Sequence, residues 1–173
     1  MNNKSWIIKA FILTFCITII ISGLSNFIAE RSNIIVLAII TLIILMLGII
    51  FDAIGTAVLT ANEATFHAMA ANKIKGSKKA IQLIKNASTI ANFCNDVIGD
   101  ICGIVSGSMG AMITIYLATK LSLDNAIIAL LVASIISALT VGGKAIGKVI
   151  AIKNCDKIIY VVAKLLSGFS KNK

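Results

Sequence analysis

The sequence predicts an all-α integral membrane protein that crosses the bilayer about four times. Its mean hydropathy is +1.00, and 58% of its 173 residues are hydrophobic while only 13% are charged. A soluble domain of this length needs more charge to cover its surface. The apolar residues also form four long runs, each near the roughly 20 residues that a helix needs to cross a bilayer core. The alternating pattern of a membrane β-strand is absent from the sequence.

The four predicted spans contain very few charged residues. They cover residues 7–28, 34–61, 87–119 and 126–143. The first span begins like a signal peptide, but its apolar run is too long and has no clear cleavage site, so we expect a retained anchor. Residues 30–33 are predicted to form a tight turn outside the cell.

The basic residues orient these spans. Lys4 precedes the first span and Lys9 lies near its start, five lysines lie between the second and third spans, and seven lie from Lys144 to the end. With four spans these groups share one side, which the positive-inside rule makes cytoplasmic. We therefore expect a plasma-membrane protein with both termini in the cytoplasm. The net charge of +9 is attributed to this topology and to anionic lipid, and no nucleic-acid partner is expected.

Two segments outside the spans are predicted to lie along the cytoplasmic surface. Residues 62–86 form two short amphipathic helices, broken at residues 75–77, in the plane of the interface. Gly142 and Gly143 are predicted to interrupt the fourth helix. Residues 145–168 contain too many charges for a fifth span, so a pair of basic surface helices is expected there.

The third span carries a regular stripe of small residues. Asn95, Gly99, Gly103 and Gly107 recur every four residues and therefore share one face of an α-helix. Such a stripe allows a second helix to approach closely, so this face is predicted to contact protein. Helix packing alone, including packing in a dimer, explains the glycines, and a polar site beside them is the alternative.

Three carboxylates lie inside the predicted spans, namely Asp52, Asp96 and Asp100. Each costs about 3 kcal/mol at the bilayer centre and is expected to line a polar cavity or to find a partner. Asp96 and Asp100 are one α-helical turn apart, beside Asn95, and oxygen ligands of this kind suit Mg²⁺. Two alternatives remain: a structural pair, for example of Asp96 or Asp100 with Lys144, or simple solvation of Asp52 and Asp100 near an interface.

No motif in the sequence indicates an enzyme. There is no phosphate-binding glycine loop, no dinucleotide fingerprint and no metalloprotease helix motif. Ser106 and Ser108 have no histidine at a plausible distance to act as a base, because His67, the only histidine, lies in the surface segment. We therefore expect a protein without catalytic residues.

Three segments resemble, in the same order and spacing, the CNNM/CorC-type transmembrane domain (DUF21) of magnesium and cobalt transporters. The first is FDAIGTAVLT at 51–60 followed by ANEATFHAMAANKIKGSKKA, which resembles the end of that domain's first core helix and the short helix after it. The second is NFCNDVIG at 92–99, where Asn95 matches a family asparagine. The third is GKAIGK at 143–148, in place of a Gly-Glu-Ile-x-Pro-Lys motif. The resemblance covers residues 34–168.

The resemblance implies a dimer of three-helix units that transports Mg²⁺ or a related divalent cation. It implies an oxygen-ligand site in the membrane, to which we assign Asn95, Asp96, Asp100 and Asp52. Gly99, Gly103 and Gly107 are then the packing or dimer stripe. On this basis residues 1–33 form an extra N-terminal helix and outside turn, 34–168 the transmembrane domain, and 169–173 a short basic tail.

The sequence also departs from the family pattern. Lys144 replaces the family's glutamate, and Gly55 replaces another acid. The nucleotide-sensing domains that usually follow are not among these 173 residues. A lysine in a cation site repels the ion or substitutes for it, so the alternative to transport is a membrane scaffold or regulator in which Lys144 fills the site.

Overall fold

A computed structural model describes residues 3–29 and 33–169. All elements in these residues are helical, which confirms the predicted all-α class for the described part of the chain. A π-helical segment, Phe93–Gly99, joins the fifth and sixth α-helices. The α-helices are α1 (Asn3–Ala29), α2 (Ile34–Thr60), α3 (Glu63–Ala71), α4 (Ser77–Lys85), α5 (Ala87–Asn92), α6 (Asp100–Leu121), α7 (Asn125–Lys153) and α8 (Cys155–Phe169).

Three helical stretches among the described residues are long and apolar enough to cross a membrane. They are Ile34–Thr60 with 27 residues, Ala87–Leu121 with 35 and Asn125–Lys153 with 29. At a rise of about 1.5 Å per residue, each exceeds a bilayer core of about 30 Å. The apolar segment described within α1, Phe11–Leu24, is shorter.

The predicted interruption at Gly142 and Gly143 is wrong. Helix α7 continues through both glycines to Lys153, and the chain turns at Asn154 before α8 begins. A glycine inside a helix costs only about 1 kcal/mol relative to alanine, and glycine is common in membrane helices. The packing explains Gly143, because a methyl group at this position would overlap the Ile49 side chain.

The chain divides into two compact units. Unit 1 comprises Met1–Ile49 and Val97–Gly143, and within it α1 packs on α6. Small residues bring its helices together: a Cβ atom at Gly48 would lie 2.9 Å from Cys102 Cβ. The backbone N–H of Ala126 donates a 2.9 Å hydrogen bond to Asp124 Oδ1, which caps the start of α7.

Unit 2 comprises Ile50–Asp96 and Lys144–Lys173, and in it α4 packs on both α3 and α8. Its core is closed, since Phe66, Ala80 and Ile159 are each fully buried. The apolar sides of α3 and α4 therefore contact protein. The Asn62 backbone N–H donates a 2.9 Å hydrogen bond to Asp156 Oδ1, which ties the corner between α2 and α3 to the start of α8.

Two predicted features fall largely outside the described residues. The outside turn at 30–33 is described only at Asn33, and the basic tail at 169–173 only at Phe169, the last residue of α8.

Candidate functional site

Asp52 is a buried carboxylate between two lysines. It lies on α2 in unit 2 and is only 3% exposed. Lys148 Nζ is 3.6 Å from Asp52 Oδ2, and Lys144 Nζ is 3.9 Å from Oδ1. Lys144 and Lys148 are four residues apart on α7, so a single helical face presents both ammonium groups to one carboxylate. The sequence predicted Lys144 as a partner of Asp96 or Asp100, whereas the structure places it beside Asp52. Lys148 was not predicted, although its one-turn spacing from Lys144 is visible in the sequence.

The two lysines differ in their access to solvent. The Lys144 side chain is 21% exposed and that of Lys148 is 50% exposed, against 5% for the Asp52 side chain. A buried carboxylate is costly unless a cation compensates it. Two positively charged side chains thus lie within 4 Å of the Asp52 carboxylate. Neither contact reaches hydrogen-bond length, and Asp52 Oδ2 accepts no hydrogen bond from the described residues.

Asn95 supplies a second buried oxygen to the same unit. It lies in the π-helical segment Phe93–Gly99, and its Oδ1 atom is buried without a hydrogen-bond donor among the described residues. Its side chain packs against Gly55 on α2, where a methyl group would overlap Asn95 Oδ1. Gly55 lies one turn after Asp52 on α2. The glycine therefore makes room for the Asn95 amide on the helix that carries the buried carboxylate.

The π-helical segment also changes which residues share a face. The predicted stripe assumed a regular α-helix, but a π-helix bonds residues five apart and has a wider turn. Asp96 lies in this segment with an exposed side chain, and Asp100, also exposed, begins α6 in unit 1. Of the four predicted ligands, Asp52 and Asn95 are thus the two whose oxygens are buried.

The glycine stripe is mostly open in the described part of the chain. Gly99 is buried, but no heavy atom lies within 4 Å of the Cβ positions of Gly103 and Gly107. The close contact between α6 and α7 occurs instead at Gly110, where a Cβ atom would overlap the Ile136 side chain. Gly110, three residues beyond the stripe, is thus the glycine that allows α6 and α7 to pack closely.

The site contains one carboxylate and one amide rather than a cluster of acids. Within residues 3–29 and 33–169, no group of three or more His, Cys, Asp or Glu side chains could hold a metal ion. Comparison with protein-family models, with curated proteins and with solved structures finds no match to this chain. The geometry and the sequence motifs are therefore the basis for a functional proposal.

Proposed function

We propose that the chain is a membrane transporter for a divalent cation of the Mg²⁺ type, which binds at Asp52 and Asn95 in exchange for two lysine ammonium groups. The observation that carries this proposal is the pair of buried acceptor atoms, Asp52 Oδ2 and Asn95 Oδ1, neither of which accepts a hydrogen bond from the described residues. A buried acceptor without a donor costs free energy, which a bound cation would recover.

The ligand chemistry fits a hard cation that keeps much of its water. Mg²⁺ prefers oxygen ligands, dehydrates reluctantly and is commonly held by one or two carboxylates with several retained waters. Asp52 supplies a carboxylate and Asn95 an amide oxygen. Water molecules would complete the coordination, so the absence of a larger acidic cluster among the described residues is compatible with this cargo.

The two lysines suggest how the site is held without its cargo. Lys144 and Lys148 together bring two positive charges to Asp52. One divalent cation carries the same charge, so the exchange leaves the electrostatic balance at the carboxylate unchanged. Lys148 can move away from Asp52 at low cost because half of its side chain is exposed.

We further propose a membrane arrangement with four spans, in which α1 adds to the three long helices. Twelve of the chain's 16 basic residues belong to unit 2, which the positive-inside rule would place at the cytoplasmic side of a plasma membrane. The motif order shared with the CNNM/CorC-type domain favours the same arrangement. In a homodimer, the open face at Gly103 and Gly107 would pack on a second copy.

Ion flux tests this proposal. The purified protein is reconstituted into liposomes that contain a Mg²⁺-sensitive dye, and an inward Mg²⁺ gradient is imposed. We expect flux from the wild type and at least a tenfold loss in Asp52→Asn, which keeps the shape and removes the charge. Asp96→Asn is the matched control, because it removes an exposed carboxylate from the segment that carries Asn95. Wild-type flux equal to that of protein-free liposomes, or full flux in Asp52→Asn, would contradict the proposal.

The second candidate is a membrane scaffold or regulator that does not transport. It is favoured by the same lysine contacts, because Asp52 already has two counter-ions within 4 Å. On this hypothesis the lysines replace the cation permanently. The wild type would then show no flux, while removal of Asp52 or of both lysines would alter only the stability of the fold.

A further inference from the structure

A groove of about 610 Å³ lies in unit 2 between α8 and the turn that precedes α4. It is lined by Lys75 from the turn and by residues from one side of α8, namely Tyr160, Val161, Lys164, Leu165 and Gly168. None of these residues belongs to the Asp52 site. The groove is therefore independent of the proposed transport site.

The backbone at Gly76 builds this groove. Gly76 has a φ angle of 93°, a conformation that glycine adopts without strain. A Cβ atom at this position would lie 3.2 Å from Lys164 Cα, so the turn approaches the backbone of α8 closely. This contact brings Lys75 and Lys164 to the same opening, and the packing of α4 on α8 holds them there.

The groove combines positive charge with an apolar wall. Lys75 and Lys164 are exposed, and neither forms an ion pair within the described residues. Val161 is 55% exposed and Leu165 is 62% exposed. An adjoining groove at the start of α4 adds Lys73 and Lys78 and shares Lys75. Among the described residues, no acidic side chain lines either groove.

We infer that this groove binds an anionic phospholipid. The phosphate of the headgroup lies between Lys75 and Lys164, and an acyl chain lies along Val161 and Leu165. Charge complementarity selects the anionic headgroup, since clustered lysines beside a membrane helix attract acidic lipids. The exposed Val161 and Leu165 favour a lipid over free phosphate, because free phosphate has no apolar group to pack against them. A chain with three helices of membrane length meets this ligand in its own bilayer.

Native mass spectrometry of the full chain in detergent tests this inference. The probes are phosphatidylglycerol and phosphatidylcholine with identical acyl chains. We expect the wild type to retain phosphatidylglycerol preferentially. Lys75→Gln combined with Lys164→Gln should weaken this binding roughly twenty-five-fold, at about fivefold for each lysine near a headgroup. Both side chains are exposed, so the variant should unfold at the wild-type temperature.

The matched control removes the same charge from α4 and α8 at positions outside the groove. Lys85→Gln combined with Lys157→Gln should leave phosphatidylglycerol binding within twofold of the wild type. If both double variants weaken phosphatidylglycerol binding equally, the proposed binding site in the groove is overturned. The lipid would then be attracted by the overall positive charge of unit 2. Displacement of the lipid by its deacylated, water-soluble headgroup at equal concentration would also overturn it, because the acyl chain would then contribute nothing.

Discussion

The two units of this chain bury similar side chains but differ in the charge that they expose. In unit 1 the exposed face of α7 is a row of large apolar side chains, with Ile127, Leu130 and Ile135 each more than half exposed. In unit 2 the exposed positions of α4 and of the turn before it are largely lysines, while Phe66 and Ile159 are fully buried. Unit 1 is suited to lipid tails, whereas unit 2 combines a basic surface, suited to lipid headgroups, with exposed apolar side chains such as Val161 and Leu165.

This difference explains why the buried charge lies in unit 2. A carboxylate in a lipid-facing unit would need its counter-ion to be buried as well, at the cost of desolvating two charges. In unit 2 the partners of Asp52 are long lysine side chains with partly solvated ends. The basic surface and the buried acid are thus two parts of one electrostatic arrangement.

The largest expected effect comes from the closed core of unit 2. Phe66→Ala should lower the free energy of unfolding by about 3–5 kcal/mol, because Phe66 is fully buried. Leu130→Ala in unit 1 should change it by about 0.5 kcal/mol or less, since Leu130 is 66% exposed. Denaturant titration in detergent micelles measures both. A similar loss in Leu130→Ala would mean that protein covers this face of α7, and the comparison between the units would fail.

The second effect tests the charges around Asp52. Lys144→Met combined with Lys148→Met keeps most of the apolar stems but leaves a buried carboxylate without a cation, which should cost about 3 kcal/mol. Adding Asp52→Asn should restore most of this loss, because the uncompensated charge is its cause. Denaturant titration in detergent micelles measures the free energy of unfolding of both variants. A triple variant no more stable than the double variant would show that the lysines stabilise the fold through packing rather than through Asp52.

The smallest expected change in stability comes from replacing one glycine in each unit. Gly55→Ala in unit 2 should cost about 1–3 kcal/mol, because its methyl group would overlap the Asn95 amide. Gly107→Ala in unit 1 should be neutral or slightly stabilising for the isolated chain, since no described atom lies within 4 Å of its Cβ position. Thermal unfolding of the monomer measures both. Adding Asn95→Ala to Gly55→Ala should restore stability, because it removes the amide that the new methyl group overlaps. If the double variant is no more stable than Gly55→Ala alone, the contact with Asn95 is not the cause of the loss.

The sequence was sufficient for the coarse fold. Long apolar runs with few charges predicted the helices of membrane length, because in lipid a backbone must satisfy its own hydrogen bonds. The apolar stretch at 87–119 was predicted as one element, and the structure places a continuous helical path there from Ala87 to Leu121. Lys144 was also named in advance as a group that could fill the site.

Three features depend on packing and were not visible in the sequence. The periodicity of Asn95, Gly99 and Gly103 implied a regular α-helix, because nothing in the residue types marks the π-helical segment at Phe93–Gly99. Gly142 and Gly143 looked like a break because glycine disfavours an isolated helix, whereas the Ile49 side chain uses the space at Gly143. The partner that Gly55 accommodates, Asn95, could be identified only in three dimensions.

The most direct test of the account is a crystal structure of the protein with Mn²⁺, which substitutes for Mg²⁺ and scatters anomalously. We expect an anomalous peak within about 2.3 Å of an Asp52 carboxylate oxygen and of Asn95 Oδ1, with the Lys148 ammonium turned away into solvent. A map without a peak at this position, in which Lys144 and Lys148 still contact Asp52 at millimolar Mn²⁺, would contradict the proposed cation site.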